Sequence, residues 1–483
     1  MNRVLRSLLS RLLALALLGW ASASARDFPV ASREEFDAAV AAAKPGDAIV
    51  WASGTWRDVK LALRAQGSAS DPVTLRAAVP GETRFEGASQ LVIDGPNLVV
   101  SGLAFQKIVN LPSKVTPYDV TVASVITFTP RASHCQLTQT SVVDSGEGVT
   151  TYVHLEPGNV QNRIDHCWFS NQGKIGVTFY VEVDPKRPNG HMIDQNYFGD
   201  RQQGTGNRWE TLRIGHSEQQ RFVSNTTVAL NYFYRCNGEN ECVSNKSTGN
   251  SYFYNAFIEV RGELALRHGD RTRVEGNYFF GGAETKAGGV RIIGSDQVVV
   301  NNYFRGLRQA LVIYNGQSGN DPRDYAPVVN ALVAFNTFDD CAETFTFGTN
   351  ARPVPPKNVR LVGNLVRARA GRIFRCGPGA DVSYLGNYMF GAELGLEGDV
   401  PSGILHRAPA FEVDGWGHLE AGPQVTLPLA FTPEIKRDIG GRFRAEQTTI
   451  GASESPGLVP RYPSSKAKVG PFWMQHASAR ATP

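Results

Sequence analysis

The chain has 483 residues, of which 42% are hydrophobic, and a net charge of +4 from 49 Lys and Arg against 45 Asp and Glu. So small a net charge leaves any site for a polyanion to local clustering, not to a whole-molecule field, and no nucleic-acid partner is expected. The length permits a large core and by itself suggests two or three domains.

The first residues hold Arg3, Arg6 and Arg11, then the apolar run Leu12 to Trp20, then Ala23-Ser24-Ala25. A basic start, a short apolar stretch and a small-x-small site predict a signal peptide over residues 1–25, and hence an exported chain, periplasmic or extracellular. Its removal lowers the net charge from +4 to +1, because three arginines and no acid go with it. No stretch approaches the ~20 apolar residues of a membrane span, so none is expected.

A helix follows, with Ser32 as N-cap, Glu34 and Glu35 in its first turn, Phe36 and Val40 on its apolar face, and a stop at Pro45-Gly46. Acids near a helix start offset the positive end of its dipole. This helix is expected to cap one end of the fold. Beyond it the chain reads as short β segments rich in Val, Ile, Phe and Tyr, punctuated by Gly, Asn and Asp.

Those segments recur with an Asn ahead of an aromatic or apolar pair, at Asn196, Asn231, Asn255, Asn277, Asn302, Asn336, Asn364 and Asn387. Their separations are 35, 24, 22, 25, 34, 28 and 23 residues. A floor near 22 with irregular additions predicts stacked coils with loops of variable length, an all-β solenoid, and disfavours a propeller's steadier period of ~40 to 50. Leu103, Cys135 and Cys167 are read as the same position in earlier coils. The solenoid is assigned to 26–400, and 401–483, where the pattern fades, to a wrapping segment and tail.

Six cysteines (Cys135, Cys167, Cys236, Cys242, Cys341 and Cys376) include no C-x-x-C pair, which disfavours a zinc or redox site. Export makes disulfides permissible. Equivalent positions in neighbouring coils favour Cys135 with Cys167.

The densest polar run is Asn237-Gly238-Glu239-Asn240-Glu241-Cys242-Val243-Ser244-Asn245-Lys246. Strand alternation puts Glu239 and Glu241 on one face, adds Val243 and Asn245 to it, and requires a bend before Lys246 can join. Two unpaired carboxylates side by side call for a cation, and an all-oxygen set suits calcium. Asn207, about one coil earlier, offers a third oxygen. Arg261 to Gly269, about one coil later, would stack on the same side. Trp209 is a candidate for sugar stacking and His268 a second candidate for substrate contact.

The run from Asn237 through Lys246-Ser247, followed 21 residues after the lysine by Arg267-His268-Gly269, resembles polysaccharide lyase family 6, the alginate lyases and chondroitinase B. Lys44-Pro45-Gly46-Asp47 and Leu98 to Phe105 match as well, so the resemblance spans roughly residues 28–395. It implies a right-handed parallel β-helix that cleaves an anionic, uronate-containing polysaccharide by calcium-assisted β-elimination. By the same resemblance Asn207, Glu239 and Glu241 are the calcium ligands, Lys246 the base, Arg267 the acid and Arg213 a substrate-binding residue. Alginate is the expected polymer, with dermatan sulfate the alternative. A glycoside hydrolase or a non-catalytic carbohydrate-binding solenoid are further alternatives.

Overall fold

A computed structural model describes residues 25–319, 321–413, 419–454 and 463–479. The expected signal peptide therefore lies outside the described residues except for Ala25. Three parallel sheets of 14, 14 and 12 strands run the length of the molecule. Each coil contributes one strand to each sheet, as with Thr227–Ala229, Tyr232–Cys236 and Glu241–Lys246. Parallel strands joined this way wind right-handed, so the fold is the right-handed parallel β-helix expected.

The interior is laid down as ladders. Phe169, Phe198, Phe233, Phe257, Phe279, Phe304 and Phe338 stack face to face, with centroids 4.6–5.4 Å apart. Beside them the eight asparagines form a second ladder. Asn231 Oδ1 accepts the Asn196 backbone N–H at 2.9 Å and its side-chain amide at 3.0 Å, and the pattern repeats to Asn387. Each rung satisfies a buried turn amide that no strand partner reaches.

Cys167 heads this column, its N–H donating to Asn196 Oδ1 at 2.9 Å. Cys135 does not belong to it. Gln136 pairs with Arg163, whereas Ser141 pairs with Trp168, so the position equivalent to Cys167 is Thr140. Cys135 and Cys167 thus occupy different corners of the coil, and the expected disulfide is absent. Their thiols donate instead to the carbonyls of Gly95 and Asp165, each at 3.1 Å. All six cysteines are free.

The capping helix spans Arg33–Ala42, with Ser32 Oγ accepting the Glu35 N–H and Phe36 and Ala39 buried against the first coil. Glu35 returns the contact, accepting the Ala31 N–H at 2.6 Å, so the start is closed from both sides. The last solenoid strand is Ile404–Leu405. From there the chain turns back along the molecule. Ile439 and Ala452 pack on Tyr278 and Tyr303. Ser464 Oγ donates to the Leu230 carbonyl and the Gly470 N–H to that of Gln195, each at 2.9 Å. A helix, Phe472–Ala479, then sets Trp473 against Gly81, its Nε1 donating to the Gln139 carbonyl at 3.0 Å.

Candidate active site

The 12-stranded sheet carries the polar cluster on its outer face, at the strands Leu212–Ile214, Glu241–Lys246, Glu263–His268 and Gly288–Ile292. Simple alternation fails in the second of these. The pairing with Glu263–His268 shifts register between Glu241 and Val243 and again between Asn245 and Lys246. Cys242 and Val243 both enter the core, so the bulge reverses the phase. Contrary to the expectation, Val243 and Asn245 point inward. Ser244 shares the face of Glu241, and Lys246 joins it just past the second register shift, where a bend was expected. Asn245 is wholly buried and braces the strand, its amide donating to the carbonyls of Ser247 and His268 at 3.0 Å.

A cavity of about 840 Å³ opens over this face. Asn207, Arg213, Glu239, Glu241, Lys246 and Arg267 all line it, together with Glu210, His216 and Arg291. Carboxylate oxygens of Glu210, Glu239 and Glu241 lie within 4.8 Å of one another. Glu210 went unremarked in the sequence; its signal was its place three residues before Arg213. Asn207, the expected third ligand, stands at the exposed rim of the cavity on the loop before Glu210.

Each carboxylate has its own electrostatic setting. Burial would raise Glu210, but Arg213 and Lys246 hold it below its ordinary value. Arg213 Nε donates to Glu210 Oε1 at 2.9 Å, and Lys246 Nζ stands 3.9 Å from the same oxygen. Burial is likewise outweighed at Glu241, where Arg291 donates at 2.6 Å, Ser244 Oγ donates at 2.5 Å and Arg267 Nε lies at 3.4 Å. At Glu239 the balance falls the other way, Arg213 and Lys246 being outweighed. Burial, then the charges of Glu210 and Glu241, push its carboxyl up to about 9.

Three carboxyl groups this close, two of them charged and the third thereby held protonated, form a site that a cation would relieve. Glu210 Oε2 is buried with no hydrogen-bond partner, as an unfilled ligand position would leave it. The donors are all oxygen, the set that suits a hard divalent ion. Gly238 is required at the approach: a Cβ there would come within 2.2 Å of the Trp209 carbonyl oxygen.

The basic groups face the carboxylates. Burial, then Arg213, lower the Lys246 ammonium below its ordinary value, with Glu210 and Glu241 opposing. Burial also lowers Arg267, whose guanidinium sits 3.9 Å above the Tyr325 ring. Arg352 covers the same ring at 3.4 Å. Arg291 and Tyr325 come from coils beyond the polar run and carried no signal in the sequence.

Two residues expected to contact substrate, Trp209 and His268, stand behind the cavity wall. Trp209 does not line the cavity; its ring packs on Gly204 and under the Arg201 guanidinium at 5.3 Å. Arg201 is itself buried and holds the neighbouring loop through Thr178 Oγ1 and the Gly176 carbonyl, each at 2.5 Å. His268 is wholly buried behind Arg267, whose Nη1 lies 3.0 Å from its Nε2. Burial, then Arg267, push His268 down to about 2, so it is a neutral acceptor that orients the guanidinium.

The family model described as chondroitinase B matches residues 30–366. Among solved structures, the family 6 alginate lyase AlyGC is 31% identical with a TM-score of 0.75, the match covering 92% of this chain. The chain spans only 58% of the length of AlyGC. A mannuronic acid specific family 6 lyase from the human gut microbiota is 28% identical over 76% of this chain and 86% of its own, with a TM-score of 0.66. Pedsa3628 from Pseudopedobacter saltans, 22% identical over 92% of this chain and 99% of its own with a TM-score of 0.66, shares the fold. No curated protein matches the sequence. With more than half of its length matched by the family model and a family 6 lyase 31% identical over 92% of it, the chain belongs to polysaccharide lyase family 6, the family of chondroitinase B.

Proposed function

We propose that the protein is an exported lyase that cleaves alginate, in mannuronate or mixed blocks, by β-elimination with calcium bound. One observation carries this reading: a lysine whose charge is disfavoured stands 3.9 Å from a carboxylate of a three-glutamate cluster, with Arg213, Arg267 and Arg291 beside it among the arginines that line the same cavity.

The C5 proton of a uronate is weakly acidic, because its loss puts a second negative charge on the carboxylate. A calcium ion held by Glu210, Glu239 and Glu241, with Asn207 at the rim, would neutralise that charge as it forms. Arg213 and Arg291 hold the carboxylate cluster in place and present positive charge to an anionic sugar. Lys246, uncharged, takes the proton from C5. The C–H electron pair becomes the C4=C5 double bond, and the C4–O4 bond breaks. The leaving O4 takes a proton from the Lys246 ammonium or from water. Arg267 stabilises charge on O4 and does not give up a proton, since a guanidinium practically never does.

The rim of the cavity supports a second polymer. Arg208, Arg261 and Arg323 line it beyond the carboxylate cluster, and such groups suit a sulfated chain such as dermatan sulfate. The test is ultraviolet absorbance of unsaturated uronate ends on poly-mannuronate, poly-guluronate and dermatan sulfate, with chelator and with calcium restored. New double bonds that vanish in chelator support the reading. Cleavage without a double bond would point to hydrolysis, and binding without turnover to a carbohydrate-binding solenoid.

A further inference from the structure

The outer face of the catalytic sheet carries a column of side chains in register: His154, Tyr180, Arg213, Ser244, Ala265 and Arg291. Arg213 and Arg291 line the cavity, whereas His154 and Tyr180, in the two coils before Arg213, are wholly buried. They are covered by a hairpin that leaves the solenoid ahead of the strand Ser124–Phe128. Its arms, Lys114–Val115 and Thr121–Val122, pair antiparallel. Val120 and Val122 pack on Tyr180 together with Val177. Lys114 pairs with Glu156, just after the strand that carries His154. At the tip, the Tyr118 ring stacks on His216 at 5.5 Å, and Tyr118, Asp119 and Val120 form part of the cavity wall.

The hairpin is braced from within. The Thr116 N–H donates to the Val120 carbonyl at 2.9 Å, the Asp119 N–H to the Thr116 carbonyl at 3.1 Å, and Thr116 Oγ1 accepts the amides of Tyr118 and Val120 at 3.3 Å. Pro117 fixes its own φ in the turn. A turn held this way is a wall, not a loose loop.

What it covers has the chemistry of a groove floor. His154 Nε2 lies 2.7 Å from Glu182 Oε1, and its ring stacks on Tyr180 at 5.4 Å. His154 Nδ1, Tyr180 Oη and Glu182 Oε2 have no hydrogen-bond partner. A face made only to meet Val120 and Val122 would be apolar. This one continues the polar column of the cavity for two more coils, roughly 10 Å at the usual spacing between strands.

We propose that this hairpin is an end stop that fixes where cleavage falls. It terminates the groove immediately before Arg213, so the polymer binds with one chain end against Tyr118, and short oligosaccharides are released from that end. This rests on the lyase reading above.

The test compares the full chain with two variants: one with Lys114→Ala and Tyr118→Ala together, which unpins the hairpin, and one with residues 113–122 replaced by Gly-Gly. Each digests poly-mannuronate, and product sizes and remaining polymer length are followed against the double bonds formed. The native chain is expected to release short unsaturated oligosaccharides while the remaining polymer keeps its length. Either variant should give a broad ladder early and shorten the polymer severalfold faster per double bond. A broad ladder from the native chain, or one pattern from all three, overturns the end stop. A second arm measures binding of saturated oligomannuronates of increasing length to each protein carrying Lys246→Ala, so that absence of elimination, which refutes the lyase reading, leaves the hairpin decided. Affinity that stops rising at short length only while the hairpin is intact supports the proposal; the same length dependence with and without it overturns it.

Discussion

Lys246 Nζ lies 3.9 Å from Glu210 Oε1, the same oxygen that accepts from Arg213. One buried carboxylate therefore faces both Lys246 and Arg213 while it also belongs to the proposed calcium site. Glu210→Gln removes the counter-charge while keeping the shape. The variant should bind calcium at least about 10- to 100-fold more weakly, the loss usual when a group that only orients a ligand is removed, read by calcium titration of activity. Because Glu210 raises Lys246, its loss should also move the rising limb of the pH–rate profile to lower pH. An unmoved limb would separate Glu210 from the base.

Lys246→Ala should lower the rate of double-bond formation by about 10²- to 10⁴-fold, the range for a positioned acid–base group, with circular dichroism unchanged. Lys246→Arg should not restore it, because a guanidinium stays charged. In the native protein the uncharged form grows as pH rises through the lowered pKa, so activity should climb with pH until another group intervenes. Activity retained in Lys246→Ala would remove it as the base.

Asn277 sits in mid-ladder, accepting the Asn255 N–H and side-chain amide at 2.9 Å and donating to Asn302 and to the Tyr252 carbonyl. Asn277→Ala strands a buried amide, at a cost of about 1–3 kcal/mol for each group left unpaired. The denaturant midpoint should fall with little change in kcat at low temperature, since Asn277 does not line the cavity. Unchanged stability would make the ladder incidental to the fold.

His191 is wholly buried, and burial pushes it from 6.5 down to about 3. Its Nδ1 accepts the Asn162 N–H at 3.1 Å, which requires the neutral ring. The unfolded chain takes up a proton near 6.5 that the fold refuses, so the stabilisation is present above pH 6.5 and is lost as pH falls toward 3. Thermal melts should show the midpoint declining below pH 6.5. His191→Gln, which accepts the same amide without titrating, should flatten that decline; an equally steep one would place its origin elsewhere.

The coil repeat was legible because each Asn must meet a turn amide in the next coil, which makes the residue recur at nearly fixed spacing. Phe198 and Phe233 recur for the same reason, the ring stack being continuous. Glu239, Glu241 and Lys246 lie close in sequence, and so declared themselves. Glu210, Arg291 and Tyr325 did not, because only the winding of separate coils brings them to one face. The phase of Val243 and Asn245 was misread for a different reason. A bulge at Cys242 spends one residue without advancing the alternation, and a buried cysteine looks the same in sequence whether or not it does so. The Cys135–Cys167 pairing failed because two corners of a coil can carry like residues without being neighbours.

The returning C-terminal segment changes how such a rod should come apart. Stacked coils usually loosen from their ends, each coil depending only on its neighbours. Here Trp473 fastens the tail at Gly81 and Gln139, while Ile439 and Ala452 grip the coils of Tyr278 and Tyr303. Fraying of an early coil must then lift a strap that is seated on a late one. The linear spring has become a buckled belt, whose two ends share their strain and are expected to let go together in one cooperative step.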